Sequence, residues 1–493
     1  MPAHACRQTR TRCRMTAEPP PLKSIASRPG YVWIVVATVC IGAFMGQLDA
    51  SITQLVLPRL EVHFDSQVDA VSWVAVVYML TVAAMLPVFG RLAEIFGRKL
   101  LYSGGFLIFV IGSALCGFAP SLEWMLAARV LQAIGSSLLA ANSVAIIVSI
   151  TGPHQRGRAL GIQAAVQAVG MCAGPALGGI ILSVADWRWV FWINVPVGIA
   201  GCLVSLLVLP QSDPPKKREG FDLTGALYLV PGLTLMMLGI NQAGSWGLTS
   251  PAILGAAVVA LVLLTAFVHH EIRAPAPLVT LSLFGDPRFS LGNIASFLAY
   301  AILFGLFFLM PFLFERIHHE SPLRAGLLLT VIPIALAVLA PLSGGLSDRI
   351  GSRAICTLGM LIAAAGLAGL FWLLRQMGTD VLLVTAALGV VGIGLGLFVA
   401  PNNSAIMGVP GAAAHVGQAG AMMNVIRNIG SSTGIAVAAG VLAWRMQAHG
   451  GATHQATPDA LLDAIRLVVG LFVLAALAAA GASALHKPAG SSP

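Results

Sequence analysis

The feature that most constrains this chain is a series of long apolar segments separated by short polar ones. Of its 493 residues, 57% are hydrophobic and only 10% are charged, a balance that soluble globular proteins do not show. Crossing the hydrocarbon core of a bilayer takes about 20 apolar residues in one helix. Fourteen segments of that kind are predicted, near 32–57, 70–90, 100–118, 122–147, 158–184, 190–209, 222–242, 252–270, 290–314, 323–345, 354–374, 381–401, 415–443 and 461–484. The sequence therefore predicts an all-α polytopic membrane protein.

The basic residues predict how these helices are oriented. Lys and Arg stay on the cytoplasmic side of a membrane, and an even number of crossings places both termini on one side. Most of the 28 Lys and Arg fall in cytoplasmic segments if both termini are cytoplasmic. We therefore expect a multi-pass protein of the inner membrane with both termini in the cytoplasm. The net charge of +9 follows from this topology, so nucleic-acid binding is not expected.

Residues 1–30 are rich in proline and basic residues, and they lack the apolar core and cleavage site of a signal peptide. We expect a disordered cytoplasmic tail, with translation starting at Met1 or Met15. The seven cysteines are scattered, and the histidine pairs 269/270 and 318/319 lie at span ends. Neither a disulfide framework nor a metal site is predicted.

A loop of ten residues occurs twice, at a constant offset of 254. The first copy, at 90–99, reads GRLAEIFGRK, and the second, at 344–353, reads GGLSDRIGSR. The offset aligns Leu92 with Leu346, Glu94 with Asp348 and Gly97 with Gly351. Because each copy is a short charged turn between two apolar segments, the chain is predicted to be a duplicated membrane unit.

The same offset brings span one onto span nine and span five onto span thirteen, and it leaves spans seven and eight unmatched. Parallel repeats of six helices are one architecture of membrane transporters. The predicted divisions are a tail at 1–30, a first six-helix bundle at 31–210, a cytoplasmic linker at 211–221, an inserted helix pair with its loop at 222–289, and a second six-helix bundle at 290–486.

Several motifs make the chain resemble the major facilitator superfamily. The duplicated loop is similar to the signature GxLaDrxGrkxxl between the second and third helices of that superfamily, with Glu94 in place of the usual Asp and Ile95 in place of the usual Arg. Residues 170–179, GMCAGPALGG, resemble the gxxxGPxxGG motif of its exporters. Three further stretches resemble the fourteen-helix drug:proton antiporters of the EmrB/QacA type: 48–58 (LDASITQLVLP), 187–198 (WRWVFWINVPVG) and 424–434 (NVIRNIGSSTG).

This resemblance implies a major facilitator fold, gating loops and an antiporter motif. In the loops, glycine permits a tight turn, and the acid caps a helix N-terminus or pairs with a nearby arginine. The expected gating residues are Gly90, Glu94, Gly97, Arg98, Lys99, Asp348, Arg349, Gly351 and Arg353. A smooth glycine stripe with a proline bend lets helices approach closely. The expected antiporter residues are Gly170, Gly174, Pro175, Gly178 and Gly179, with plain helix packing as the alternative.

Ionisable groups within the bilayer are costly and usually functional. Asp49 and Arg129 are predicted on the same side of the midplane, ~6 Å and ~9 Å from it at ~1.5 Å per residue. An aspartate whose guanidinium partner moves away changes its affinity for a proton. The two residues are therefore predicted to couple proton binding to conformation, with a purely structural hydrogen bond as the alternative.

Further polar residues are predicted to line a substrate cavity: Gln132, Ser136, Gln163, Gln167, Asn424 and Arg427. For Gln163 and Gln167, hydrogen bonding between helices is the alternative. For Arg427 a structural role is favoured over contact with an anionic group of a substrate. A set of large apolar side chains in span nine would suit apolar substrates, although a lipid-facing position explains most of them: Phe304, Phe307, Phe308, Met310 and Phe312. The offset aligns Asp49 with Leu303 and Arg129 with Leu383, which assigns coupling to the first bundle.

Together these patterns predict proton-coupled efflux of apolar or amphipathic, neutral to acidic small molecules, with the proton gradient as energy source and no cofactor or metal. A dedicated exporter of one metabolite is the alternative. A membrane-embedded enzyme or sensor is remote, because no loop could hold a catalytic domain. The expected partners are the bilayer, the substrate and protons. Whether a periplasmic adaptor and outer-membrane channel join the protein is left open.

Overall fold

A computed structural model describes residues 18–485 except for gaps at 152, 212–221, 248–249, 275–277, 279–280, 376–378, 410–415 and 449–457. In this part of the chain, 14 helices are long and apolar enough to cross a membrane. The main helical segments of these crossings are Tyr31–His63 (α1), Val68–Phe96 (α2), Arg98–Gly117 (α3), Leu122–Ile150 (α4), Pro153–Val184 (α5), Asn194–Val208 (α6), Leu223–Trp246 (α7), Pro251–Glu271 (α8), Pro287–Phe312 (α9), Val331–Ile350 (α10), Ser352–Leu373 (α11), Val381–Met407 (α12), Val416–Ala448 (α13) and Pro458–Ala484 (α14). The prediction of an all-α membrane protein with fourteen crossings is confirmed.

Three crossings depart from a single regular helix. Trp189–Trp192 forms a separate helical turn before α6, and Pro322–Leu329 forms a short helix before α10. The π-helical turn Leu313–Ile317 continues α9. The predicted spans were also too short, since α2 extends to Phe96 where the span was placed at 70–90. The helices continue into polar residues at their ends, and a prediction based on hydropathy ends the span where the apolar residues end. The predicted domain boundaries stay a prediction, and residues 212–221 of the predicted linker 211–221 lie outside the described residues.

The two ends of the helix bundle can be told apart by the contacts that helix ends make there. At one end the Tyr31 hydroxyl donates a hydrogen bond to the Val208 carbonyl at 2.7 Å, and the Lys99 Nζ donates one to the Leu209 carbonyl at 2.7 Å. We name this the terminal end, since α1 starts and α14 ends there. The other end, which carries Phe64 and Ser321, is named the distal end.

Part of the predicted disordered tail has a defined structure. Lys23–Ala26 is a helical turn, and the Leu22 amide donates to the Leu207 carbonyl at 2.9 Å. The Glu18 carboxylate accepts a hydrogen bond from the Leu100 amide at 3.2 Å. The prediction was wrong for 18–30 because backbone groups at helix ends, which are free to bond, hold this segment in place. Residues 1–17 lie outside the described structure.

Several helices of the first bundle pack against the second half. From the first bundle, α5 packs on the short helix before α10, α2 packs on α13, and α1 packs on α9. The inserted helices α7 and α8 pack on each other, and α7 also lies against α2 and α13. An apolar cluster with Leu80, Leu233 and Phe267 at its centre fills that junction. The inserted pair therefore lies beside the interface between the halves.

The apolar side chains that α9 contributes are internal. Phe304 and Met310 are 4% and 0% exposed, and their neighbours Phe307, Phe308 and Phe312 are fully buried. The lipid-facing position expected for most of these five residues is therefore wrong. It fails because α9 contacts α1, α12, α13 and α14 and so has no free apolar face along this stretch.

The close packing of α9 on α13 can be tested by a substitution at Gly434. A Cβ at this position would overlap the Ala301 carbonyl oxygen, and backbone cannot move aside as a side chain can. We expect Gly434→Ala to lower the free energy of unfolding by about 1–3 kcal/mol through overpacking. Thermal unfolding of the purified protein in detergent measures the change. Gly255→Ala in α8 is the matched control, because nothing lies within 4 Å of its added Cβ, and an equal loss in both variants would contradict the prediction.

Candidate functional site

An ion pair is buried in the first bundle. Arg129 Nη1 of α4 lies 2.7 Å from Asp49 Oδ2 of α1, and the two side chains are 1% and 0% exposed. The structure thus brings together the two residues that were expected to share a depth. Their role in proton coupling stays a prediction.

Neutral amides complete the coordination of this pair. The second carboxylate oxygen, Asp49 Oδ1, accepts hydrogen bonds from Gln132 Nε2 at 2.8 Å and from Asn194 Nδ2 at 2.9 Å. Arg129 donates from Nη1 to Gln132 Oε1 at 2.7 Å and from Nε to the Val74 carbonyl at 2.9 Å. Both carboxylate oxygens and two guanidinium nitrogens are therefore satisfied, as a buried charge pair requires.

A serine on α3 holds the two amides in position. Ser113 Oγ accepts hydrogen bonds from Gln132 Nε2 at 3.1 Å and Asn194 Nδ2 at 3.2 Å, and it donates to the Phe191 carbonyl at 2.8 Å. The helix α3 reaches this depth beside α4 because Gly112 has no side chain, and a Cβ there would overlap the backbone of Gln132. The network therefore joins α1, α2, α3, α4 and α6.

An aromatic ring covers the guanidinium. The Arg129 Cζ lies 4.1 Å from the centroid of the Tyr78 ring, and the Tyr78 hydroxyl donates to Ser136 Oγ at 2.9 Å. A cation over a desolvated aromatic face gains about 2 kcal/mol. The ring stabilises the positive charge of Arg129 independently of Asp49.

Sequence reasoning found Asp49, Arg129 and Gln132 but missed Asn194, Ser113 and Tyr78. Asn194 lies in the stretch 187–198 that carried the family resemblance, so its amide between tryptophans and a proline was an available signal. Ser113 and Tyr78 are single polar residues in apolar helices, and nothing in their neighbourhood in the sequence marks them.

Both copies of the duplicated loop turn at a glycine with positive φ. Gly97 has φ of 99° and Gly351 has φ of 88°, a conformation that favours glycine. Arg98 Nη1 donates to the Ala145 carbonyl at 3.5 Å. Gly90 lies within α2, and Arg353 lies in the first turn of α11. The side chains of Glu94, Asp348 and Arg349 lie outside the described structure, so their predicted pairing and gating roles stay predictions.

The glycines of the predicted antiporter motif lie against both bundles. Added Cβ atoms at Gly170 and Gly174 would come within 2.7 Å of the Phe44 carbonyl and 2.9 Å of the Ile52 amide nitrogen, which flank Asp49 on α1. Gly178 would meet Ile52 Cγ1 at 3.0 Å. Beyond Pro175, an added Cβ at Gly179 would lie 2.7 Å from the Pro322 carbonyl in the second half. The motif therefore joins the ion-pair helix to the interface between the halves.

The predicted cavity residues fall into two groups. Gln132, Ser136 and Gln163 are buried and bonded to neighbouring helices, with Gln163 Nε2 donating to Ser143 Oγ at 2.9 Å. The bond of Gln163 is of the helix-to-helix kind given as its alternative, and the predicted cavity role of the three residues stays a prediction. The others are partly exposed: Gln167 on α5, and Asn424 and Arg427 on α13.

At the distal end, two ion pairs connect the halves, and sequence reasoning missed both. Arg316, in the π-helical turn after α9, contacts the carboxylate of Glu61 on α1, whose side chain is 0% exposed. Beside it, Arg59 Nε lies 3.5 Å from Glu315 Oε2. We name these four residues the distal ion-pair cluster. The π-helical turn, a feature frequent at functional sites, presents Glu315 and Arg316 to α1.

Comparisons with known proteins agree with this architecture. The family model described as Major Facilitator Superfamily matches residues 39–435. The riboflavin transporter RibZ of Clostridioides difficile is 34% identical over 82% of this chain and 87% of its own length. A multidrug resistance protein B homolog of Mycobacterium tuberculosis is 30% identical over 83% of this chain and 76% of its own length.

A solved structure shares the fold. It is a bacterial homolog of the human lysosomal transporter Spinster, which matches with a TM-score of 0.66 and 17% identity over 92% of this chain and 97% of that one. The matched family model and the fourteen apolar helices lead to one conclusion. The chain belongs to the major facilitator superfamily, and it is a multi-pass membrane transporter rather than an enzyme.

Proposed function

We propose that the protein exports apolar or amphipathic small molecules across the bacterial inner membrane in exchange for protons, by alternating access, with its terminal end in the cytoplasm. The observation that carries this proposal is the buried pair of Asp49 and Arg129. Intramembrane ionisable residues are characteristic of proton relays in transporters. No cofactor is proposed, and the proton gradient supplies the energy.

The network offers two states of Asp49. When the carboxylate is ionised, it balances Arg129 and accepts hydrogen bonds from Gln132 and Asn194. A protonated carboxyl loses the ion pair, and its bonds to α4 and α6 weaken together. Arg129 then keeps the Val74 carbonyl, the Gln132 Oε1 and the Tyr78 ring. Proton binding would therefore change how α1 is held in the first bundle.

The helix α1 gives this change a route to the rest of the protein. Asp49 lies on the same helix as Arg59 and Glu61, which contact the second half at the distal end. The α5 glycines also pack against α1 on either side of Asp49. In alternating access the two halves rock about a central site, and a change in α1 would alter the distal contact between them.

The named relatives support two different ranges of substrate. Relatives named as multidrug resistance proteins favour a multidrug transporter. The relative named as a riboflavin transporter favours a transporter dedicated to one metabolite. A susceptibility panel over unrelated compounds separates them, since deletion sensitises cells broadly in the first case and to few or no compounds in the second.

Removal of the proton acceptor tests the coupling. Asn has no ionisable group, so in everted vesicles with an imposed pH gradient we expect Asp49→Asn to reduce gradient-driven uptake at least about tenfold, the scale of one lost charge-assisted interaction. Exchange of labelled for unlabelled compound without a gradient should continue. Wild-type rates of gradient-driven transport in Asp49→Asn would refute the proposal.

Folding needs its own control, because removing one partner of a buried ion pair costs about 3–5 kcal/mol. The double variant Asp49→Asn with Arg129→Gln removes both charges, and we expect it to unfold at a higher temperature than Asp49→Asn alone. It should still lack gradient-driven transport. Asp186→Asn, at an exposed loop carboxylate, should retain wild-type transport.

The distal ion-pair cluster predicts a shift in conformation. Glu61→Gln removes a charge-assisted contact worth about 2 kcal/mol, so the distal end should open more often. Electron paramagnetic resonance distances between labels at Val62→Cys and His319→Cys measure this, and a longer-distance population should appear. Arg316→Gln should act alike, and the double variant should add little to either single one.

Asp186→Asn is the matched control for this experiment. Asp186 also forms an ion pair at the distal end, with Arg188 at 3.1 Å, but both residues belong to one exposed segment of the first half. Its loss should leave the distance distribution unchanged. An unchanged distribution in Glu61→Gln would contradict a closing role for the cluster.

A further inference from the structure

Arg427, another charged residue within a membrane-spanning helix, lies in the second half, away from the network around Asp49 and Arg129. Its Nη2 donates a hydrogen bond to Asn403 Oδ1 of α12, and its Cζ lies 5.3 Å from the centroid of the Tyr300 ring of α9. All three side chains are half-buried, whereas the Asp49 network is closed to solvent. The Tyr300 position is about 20 Å along α9 from the terminal end, at ~1.5 Å per residue. The trio therefore lies within the bundle and is partly exposed.

The charge of Arg427 is not balanced within the described part of the protein. Arg129 has the Asp49 carboxylate at 2.7 Å. Among the described residues no carboxylate forms an ion pair with Arg427, and its Nε is buried without a hydrogen bond. A guanidinium held by neutral groups inside a membrane is costly. An anion bound there would lower that cost.

The repeated scaffold does not require this trio. The offset of 254 residues places Gly46, Ser149 and Ala173 of the first bundle where the second has Tyr300, Asn403 and Arg427. The second half therefore carries large polar and aromatic side chains where the first half has small ones.

A second arginine of the second half, Arg466 on α14, shares two of the features of Arg427. It also lies over an aromatic ring, with its Cζ 4.8 Å from the centroid of Phe371, and its Nε is also buried without a hydrogen bond. However, among the described residues it has no hydrogen bond like the one from Arg427 to Asn403. That bond distinguishes Arg427 from Arg466.

We propose that Arg427, Asn403 and Tyr300 bind the anionic group of an aromatic substrate, a carboxylate or sulfonate. This inference rests on the proposed export function and narrows its substrate class. The planar guanidinium suits two-point hydrogen bonding to such an anion, and the Asn403 amide nitrogen is a second donor. The Tyr300 ring offers a face for the aromatic part of the substrate.

Binding to the purified full chain tests the proposal with two matched probes, naphthalene-2-sulfonate and the neutral naphthalene-2-sulfonamide, by equilibrium dialysis. We expect Arg427→Gln to weaken sulfonate binding at least about tenfold, as for a lost charge-assisted hydrogen bond, and to leave sulfonamide binding within about twofold. Arg427→Lys should fall between, because it keeps the charge without the planar fork. Arg466→Gln should bind both probes as the wild type does.

Equal losses for both probes in Arg427→Gln would assign Arg427 a structural role and overturn the proposal. Unchanged sulfonate binding, or wild-type protein that does not bind the sulfonate, would also overturn it. The export function is tested separately, since Arg427→Gln should still transport a neutral amphipathic compound in everted vesicles. If Arg427→Gln loses sulfonate binding while transport by the wild type does not depend on the pH gradient, the anion site is supported and proton coupling is rejected.

Discussion

The arrangement of the first bundle depends on neutralising one carboxylate in an apolar interior. Asp49 is fully buried, so the hydrogen bonds to its two carboxylate oxygens come from other side chains of the protein. This requirement brings Arg129, Gln132 and Asn194 to one place and fixes α1 against α4 and α6. An ion pair of this kind contributes little net stability, and its removal by halves is costly. Its retention is therefore better explained by function than by stability.

Close approach of helices makes that arrangement feasible. Gly112 admits α3 to the backbone of α4 beside Gln132, and Gly174 admits α5 to α1 beside Asp49. Van der Waals contact drives helix association in a bilayer, where the hydrophobic effect between helices is absent. Close packing at these glycines therefore connects α1 to α5 and, through Gly179, to the second half.

The two halves share a scaffold and divide the chemistry. The first has a balanced ion pair closed to solvent, and the second has Arg427 with neutral partners in a more accessible position. Between them, the distal ion-pair cluster adds a polar contact across the interface. The proposed binding of protons in the first half and of substrate in the second would use this asymmetry.

The sequence by itself determined the number of crossings, the duplication, the family and the two charges of the buried pair. Each of these is a local signal, carried by apolar length, a ten-residue motif or a charge inside an apolar run. Only the tertiary structure decided which neutral residues complete the network and which ion pairs join the halves. Asn194 lies 145 residues from Asp49, and Arg316 lies 255 residues from Glu61. Such partners are chosen by the packing of helices, and hydropathy leaves the rotation of each helix about its axis undetermined. For the same reason the span-nine phenylalanines were expected to face lipid, and helix packing turned them inward.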